Sequence, residues 1–204
     1  MRALTLPLAL AAATALAGIA GSAQAAMYFF TTTLAGSNEF PANASEGTGS
    51  ATLLWDDFAH TATYDITFSG LSGNTTASHT HSRTPGQPGP NFTVATTTPS
   101  YTGFPLGVTS GTYHHVFLTN LATSYNPAYV TAFGGVPQAE TALLAGLNSG
   151  GAYLNIHTSF APGGEIRGNW SGGLIPEPAT WALMIAGFGL AGAGLRRRRS
   201  VAAG

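Results

Sequence analysis

Residues 60–68 read "HTATYDITF", and the alternation in them is unbroken: Ala62, Tyr64, Ile66 and Phe68 fall on one side, Thr61, Thr63, Asp65 and Thr67 on the other. Side chains along a strand change face at every residue, so this pattern is that of a half-buried antiparallel strand with one dry and one wet face. Shorter runs rich in Thr, Val, Tyr and Phe lie on both sides of it, at 27–34, 50–55, 75–81, 91–97, 112–119, 152–159 and 165–170. Eight strand candidates separated by Gly, Pro and Asn predict an all-β sandwich or barrel. One segment breaks the rhythm. Residues 138–147 offer Ala142, Leu143, Leu144 and Leu147 as an apolar stripe, with Gly146 and Asn148-Ser149-Gly150 to stop it, and predict a short helix. Residues 82–90, "SRTPGQPGP", and 98–111 have no periodicity and read as loops.

Working outward, both ends of the chain have a different character. Residues 1–25 carry one early charge, Arg2, then an apolar stretch from Leu4 to Gly21, then the small-residue site Ala23-Gln24-Ala25. This is the layout of a secretory signal peptide, cleaved by signal peptidase after Ala25 or Ala26. At the other end Pro176-Glu177-Pro178 precedes the apolar run Trp181 to Leu195, which stops at Arg196, Arg197, Arg198 and Arg199. A spanning helix needs about 20 mostly apolar residues, so this hydrophobic helix is a marginal, transient or retained anchor in the inner membrane. Basic residues stay cytoplasmic, which leaves residues 26–175 outside.

The segment "PEPATWALMIAGFGLAGAGLRRRR" resembles the PEP-CTERM sorting signal of Gram-negative bacteria. That resemblance implies processing by exosortase near Pro176, Glu177 and Pro178, and delivery to the cell envelope or extracellular matrix. The expected organisation is therefore a signal peptide at 1–25, one β domain at 26–174, a sorting and anchor segment at 175–199, and a tail at 200–204.

The middle of the chain is sparsely charged. Between residues 26 and 175 only Arg83 and Arg167 stand against seven carboxylates, a formal net charge of −5, and there is no lysine. Nucleic-acid phosphates are excluded as partners, because their binding rests on basic patches. No cysteine is present, so neither a disulfide framework nor a thiolate metal site is available. No Gly-x-Ser-x-Gly elbow or phosphate-cradling glycine loop occurs, and Asp56 and Asp57, being adjacent, point apart on a strand. The expectation is a non-catalytic module.

Three segments in order, "LAGSNEFPANASEGTGSATLLWD", "YDITFSGLSGNTTASHTHS" and "GAYLNIHTSFAPGGEIRGNW", together resemble the CHRD domain, named after chordin. The likeness spans about residues 31–170. It implies an immunoglobulin-like, Greek-key β-sandwich in a secreted protein; that compartment, together with the missing catalytic grouping, gives the expectation of a structural or interaction module with partners among extracellular polysaccharide or envelope proteins. Where family members carry an apolar residue between two histidines, this chain has Thr80, for which an edge or partly solvated strand is one explanation.

Histidines supply the chemistry. His79 and His81 stand at i and i+2, on the same face of one strand, and His157 lies on another strand on the face it shares with Tyr153 and Asn155. If the faces meet, the three imidazoles form a ligand set for zinc or copper, and the module becomes a metal-binding or redox one. The alternative is that they fasten loop backbone. His114 and His115 are adjacent and cannot join one site. In the closing hairpin an even register puts Asn155 opposite Arg167 and His157 opposite Glu165, or, slipped by two, His157 opposite Arg167. Asn155, Glu165 and Arg167 are expected to form a partly buried polar network.

Overall fold

In the computed structural model, which describes residues 26–176, 184–190 and 192, the alternating runs become nine antiparallel strands. They are β1 (Met27–Ala35), β2 (Thr48–Asp56), β3 (Thr61–Ser69), β4 (Thr75–Ser82), β5 (Thr93–Val94), β6 (Gly111–Leu118), β7 (Ala152–Thr158), β8 (Ile166–Asn169) and β9 (Ser171–Ile175). The fifth is shorter than its sequence suggests. Residues around it bond as a loop would, apart from a single bridge between Thr96 and Tyr125.

All nine belong to one sheet in the order β5-β4-β7-β8-β1-β2-β3-β6, with β9 added on β1. The ladders therefore describe a single curled sheet, a half-barrel, where two separate sheets were expected. The reason lies at Trp170. Residues before it pair with β7, residues after it pair with β1 from Ser171↔Thr31 to Ile175↔Met27, and Ala35↔Arg167 joins β1 to β8. The same chain thus seams both halves, and no second pair of sheet edges arises.

Curling brings the dry faces together. Tyr64 of β3 meets the Trp170 ring edge-on at 5.9 Å and the Phe117 ring at 5.6 Å. Phe30, Leu53, Trp55, Leu154, Ile156 and Ile166 are fully buried around them. Thr80 is at the centre, not at an edge. β4 lies between β5 and β7, and the fully buried Thr80 hydroxyl bonds the Tyr101 hydroxyl at 2.6 Å and accepts from Trp170 Nε1 at 3.2 Å. A polar residue there is tolerated because every hydrogen bond it needs is made inside the core.

Two helices close the structure. α1 (Pro127–Phe133) starts at Asn126, whose side chain accepts from Ala128 N–H, with Pro127 in the first turn, and stops at Gly134 in the left-handed conformation, φ 82°. α2 (Val136–Asn148) contains the expected helix and buries Ala139, Leu143 and Leu147, spaced four apart, in the common core. Residues 184–190 are helical. No helix among the described residues is long and apolar enough to cross a membrane. Ala23 and Ala25, Glu177 and Pro178, and Arg196 to Arg199 lie outside the described residues.

Candidate metal centre

β4 and β7 are neighbours with His79 opposite Asn155 and His81 opposite Tyr153, so His157 stands one pleat along from Asn155 on the same outward face. Register alone therefore gathers His79, His81 and His157. Their ring centroids are 5.1 to 6.0 Å apart, and one nitrogen from each lies within 4.8 Å of the other two.

The remaining nitrogens are already committed. His79 Nε2 donates to the Pro99 carbonyl at 2.6 Å, His81 Nδ1 to that of Phe92 at 2.8 Å, and His157 Nδ1 to that of Pro162 at 2.9 Å. A carbonyl oxygen can only accept, so each of these nitrogens carries the proton. The other three, His79 Nδ1, His81 Nε2 and His157 Nε2, are then bare lone pairs, buried and without a hydrogen-bond partner. Burial, only partly offset by the Pro99 and Phe92 carbonyls, pushes His79 and His81 down to about 4. It lowers His157 as well. All three rings are neutral at pH 7, the form that ligates metal.

Three loops make the roof over this face. Pro99 belongs to the segment before β6, Phe92 to the Pro/Gly-rich loop after β4, and Pro162 to the β7–β8 hairpin. Tyr153 stacks on His81 at 4.7 Å with planes 8° apart, and the Arg167 guanidinium lies 4.4 Å from the Tyr153 centroid. Arg167 in turn donates from Nε to the Asn38 carbonyl at 2.7 Å and from an NH group to Asn91 Oδ1 at 2.8 Å. The arginine ties the segment after β1 to the loop before β5.

The observed register is the first of the two expected, Asn155↔Arg167 with Glu165 N–H bonded to the Ile156 carbonyl. Glu165 nevertheless does not reach His157, and it makes no ion pair with Arg167. Its fully buried carboxylate accepts from Ser45 Oγ at 2.6 Å, Ser72 N–H at 2.5 Å, Gly73 N–H at 3.2 Å and Thr158 Oγ1 at 2.5 Å. Burial raises its pKa, but these four donors outweigh burial and hold it below the usual carboxylate range. The expected network of Asn155, Glu165 and Arg167 does not form: Arg167 bonds Asn38 and Asn91, Asn155 Oδ1 has no partner, and Glu165, which precedes β8, turns toward the loops at the hairpin's foot.

One residue was not legible beforehand. Glu39 is buried, its pKa raised to about 7 by burial against the opposing pull of Arg167. Glu39 Oε1 and Asn155 Oδ1 are both buried without partners. Both crowd Gly164, φ 132°, where an added Cβ would collide with them. Nothing in the run "SNEFP" announces a buried carboxylate. His114, bonded to exposed Asp65 at 2.7 Å, points outward, and His115 packs on Phe117 on the other face, so neither joins the cluster.

A family profile of the CHRD domain matches residues 30–170, and one of the PEP-CTERM protein-sorting motif matches residues 174–199. No curated protein and no solved structure matches the chain.

Proposed function

Since the chain belongs to the CHRD-domain family and bears a sorting motif that implies export, surface sorting and processing by exosortase, we propose that the sorted module is non-catalytic and holds one zinc or copper ion on His79, His81 and His157. A single observation carries this reading: three neutral imidazoles, two buried and one half-buried, each keep a buried, unpartnered acceptor nitrogen, and one nitrogen from each lies within 4.8 Å of the others. Buried acceptors left empty cost about 1–3 kcal/mol each, and a single bound cation would meet all three lone pairs together.

The donor set fits. Imidazole suits zinc and copper, and the backbone acceptors on the far nitrogens fix ring orientation and tautomer as they do in metalloproteins. A bound ion would tie β4, through His79 and His81, to β7, through His157. The residues of this chain do the rest: the Pro99, Phe92 and Pro162 carbonyls orient the rings, and Tyr153 covers His81.

The test is metal analysis and thermal unfolding of the full chain, after chelation and after titration with zinc or copper. One equivalent of metal and a higher Tm are expected, since a ligand bound only by the folded state stabilises it by RT ln(1 + [L]/Kd). Both should vanish in the His79→Ala, His81→Ala, His157→Ala variant. Identical melting of metal-free and metal-treated protein would discard the proposal.

A further inference from the structure

Away from the histidines, the outward side of β1, β2, β3 and β6 is laid out in rows by strand register. Thr33, Ser50, Thr67 and Thr112 are successive cross-strand partners. One pleat along, Ser171, Thr31, Thr52, Asp65 and His114 form a second row through β9. Strands lie about 4.8 Å apart and same-face residues about 6.8 Å apart along a strand, so the hydroxyls make a grid. All of these residues are exposed apart from Thr52, which is half-buried.

Two properties of the grid point to a ligand. Its only charged groups, Asp65 and His114, bond each other at 2.7 Å, so the rows carry no cluster of like charges. Among the described residues, the hydroxyls of Thr31, Thr33, Ser50, Thr52, Thr67 and Thr112 make no hydrogen bond within the chain, although each offers one donor and two acceptor sites. A shallow depression of about 550 Å3 runs over Thr31, Thr33, Ser50, Thr52 and Thr67. A second, of about 440 Å3, shares Thr33 and Asn169 with it and continues to Asn38 and Arg167. Together they make a track, long and open where a small-molecule pocket would be concave and closed.

We infer that this track binds a neutral, extended polysaccharide. Sugar hydroxyls are the chemistry that complements a field of unpaired, uncharged hydroxyls. A polyanion would find along the track only Arg167, buried and already bonded to Asn38 and Asn91, and a protein partner would look for an apolar centre with aromatic anchors, whereas the depressions are lined mostly by Thr, Ser and Asn, with the exposed Phe29 and Val116 a pleat beyond them. Each hydroxyl pair contributes little once both have left water, so binding depends on several rows acting together. The inference is independent of the metal reading, since no histidine of the metal centre touches the track.

The experiment is retention of the full chain, in mild detergent, on amorphous cellulose, dextran, mannan and galactan, with alginate as the anionic probe. Retention on at least one neutral glycan is expected, at least tenfold weaker for the Thr33→Val, Thr52→Val, Thr67→Val variant, whose Tm and metal content should match the wild type. Three results overturn the inference: no retention on any neutral glycan, equal retention of the variant, or retention only on alginate that salt abolishes. Capture by ice in place of glycan, lost in the same variant, would also overturn it and reassign the grid.

Discussion

The outward sides of two parts of one sheet differ in a single respect, whether loops cover them. Over β4, β7 and β8 lie three loops, and the residues beneath are His79, His81, His157, Tyr153, Asn155 and Arg167, most with a backbone carbonyl or a ring against them. Among the described residues no loop lies over β1, β2 and β3, and the residues there are mostly threonines and serines facing water, with Phe29, Leu54 and Asp65 among them. The same two-residue period produces both. A roof removes water, shifts protonation and demands that each polar atom find a partner. Where there is no roof, the hydroxyls keep their solvent and none of these consequences follows.

The largest blow to the covered half should come from Glu165→Ala, which leaves four buried or part-buried donors without their acceptor. A loss of about 3–5 kcal/mol in urea unfolding is expected, and Glu165→Gln, which keeps one acceptor oxygen but turns an NH2 group toward two of the donors, should lose less than Ala but not regain wild-type stability. Equal losses would show that both carboxylate oxygens are needed to hold the loops.

Acid should act next. In chelated, metal-free protein His79 and His81 have folded pKa values near 4, below the 6.5 of a free imidazole. The unfolded chain therefore binds protons first, and stability present above pH 6.5 is lost as pH falls toward 4, on the order of 3 kcal/mol for each ring. Glu39 runs the other way. Its folded value near 7 means that its contribution is full below about 4.5 and fades as pH rises toward 7. Two or three rings against one carboxyl leave a net loss on acidification, and replacing His79 and His81 by Gln should flatten the curve. A flat curve in the wild type would show that the rings are not buried neutral.

Tyr153→Leu, which removes the stack on His81 and the cation–π contact with Arg167, should cost about 1–2 kcal/mol by the same unfolding assay. Thr67→Ala on the bare half should stay within about 0.5 kcal/mol. A large loss there would mean that something covers that face after all.

Much of the sheet was legible because alternation is a local signal. β3 begins at Thr61 and ends at Ser69, one residue past the run at 60–68, and the β7–β8 register was one of the two that parity allows. The histidine cluster was legible for the same reason. What periodicity does not carry is which faces are roofed, so neither the acceptor carbonyls of Phe92, Pro99 and Pro162 nor the burial of Glu39 could be read. The destination of Glu165 escaped because it depends on Ser45, Ser72 and Gly73, which are about 90 to 120 residues away in sequence. α1 was overlooked although Asn126-Pro127 and Gly134 mark both its ends. β9 hides behind Gly172 and Gly173, which weaken any strand pattern. The half-barrel in place of a sandwich follows from that same strand, whose pairing with β1 seams the sheet.

β9 also decides how the module responds to force. It runs antiparallel to β1, with Ile175 opposite Met27, and the sorting motif leaves from that end. A pull on the tail enters the sheet at its last pair and opens the ladder one step at a time toward Ser171, as a zipper opens, without loading all the bonds at once in shear. Its five residues include two glycines and none is buried, while Trp170 just behind them is locked in the core. The strand is the weak edge of the sheet on the side of the sorting motif: peeling it would free Ser171, the one member of the hydroxyl rows it carries, and leave the histidine strands β4 and β7 paired.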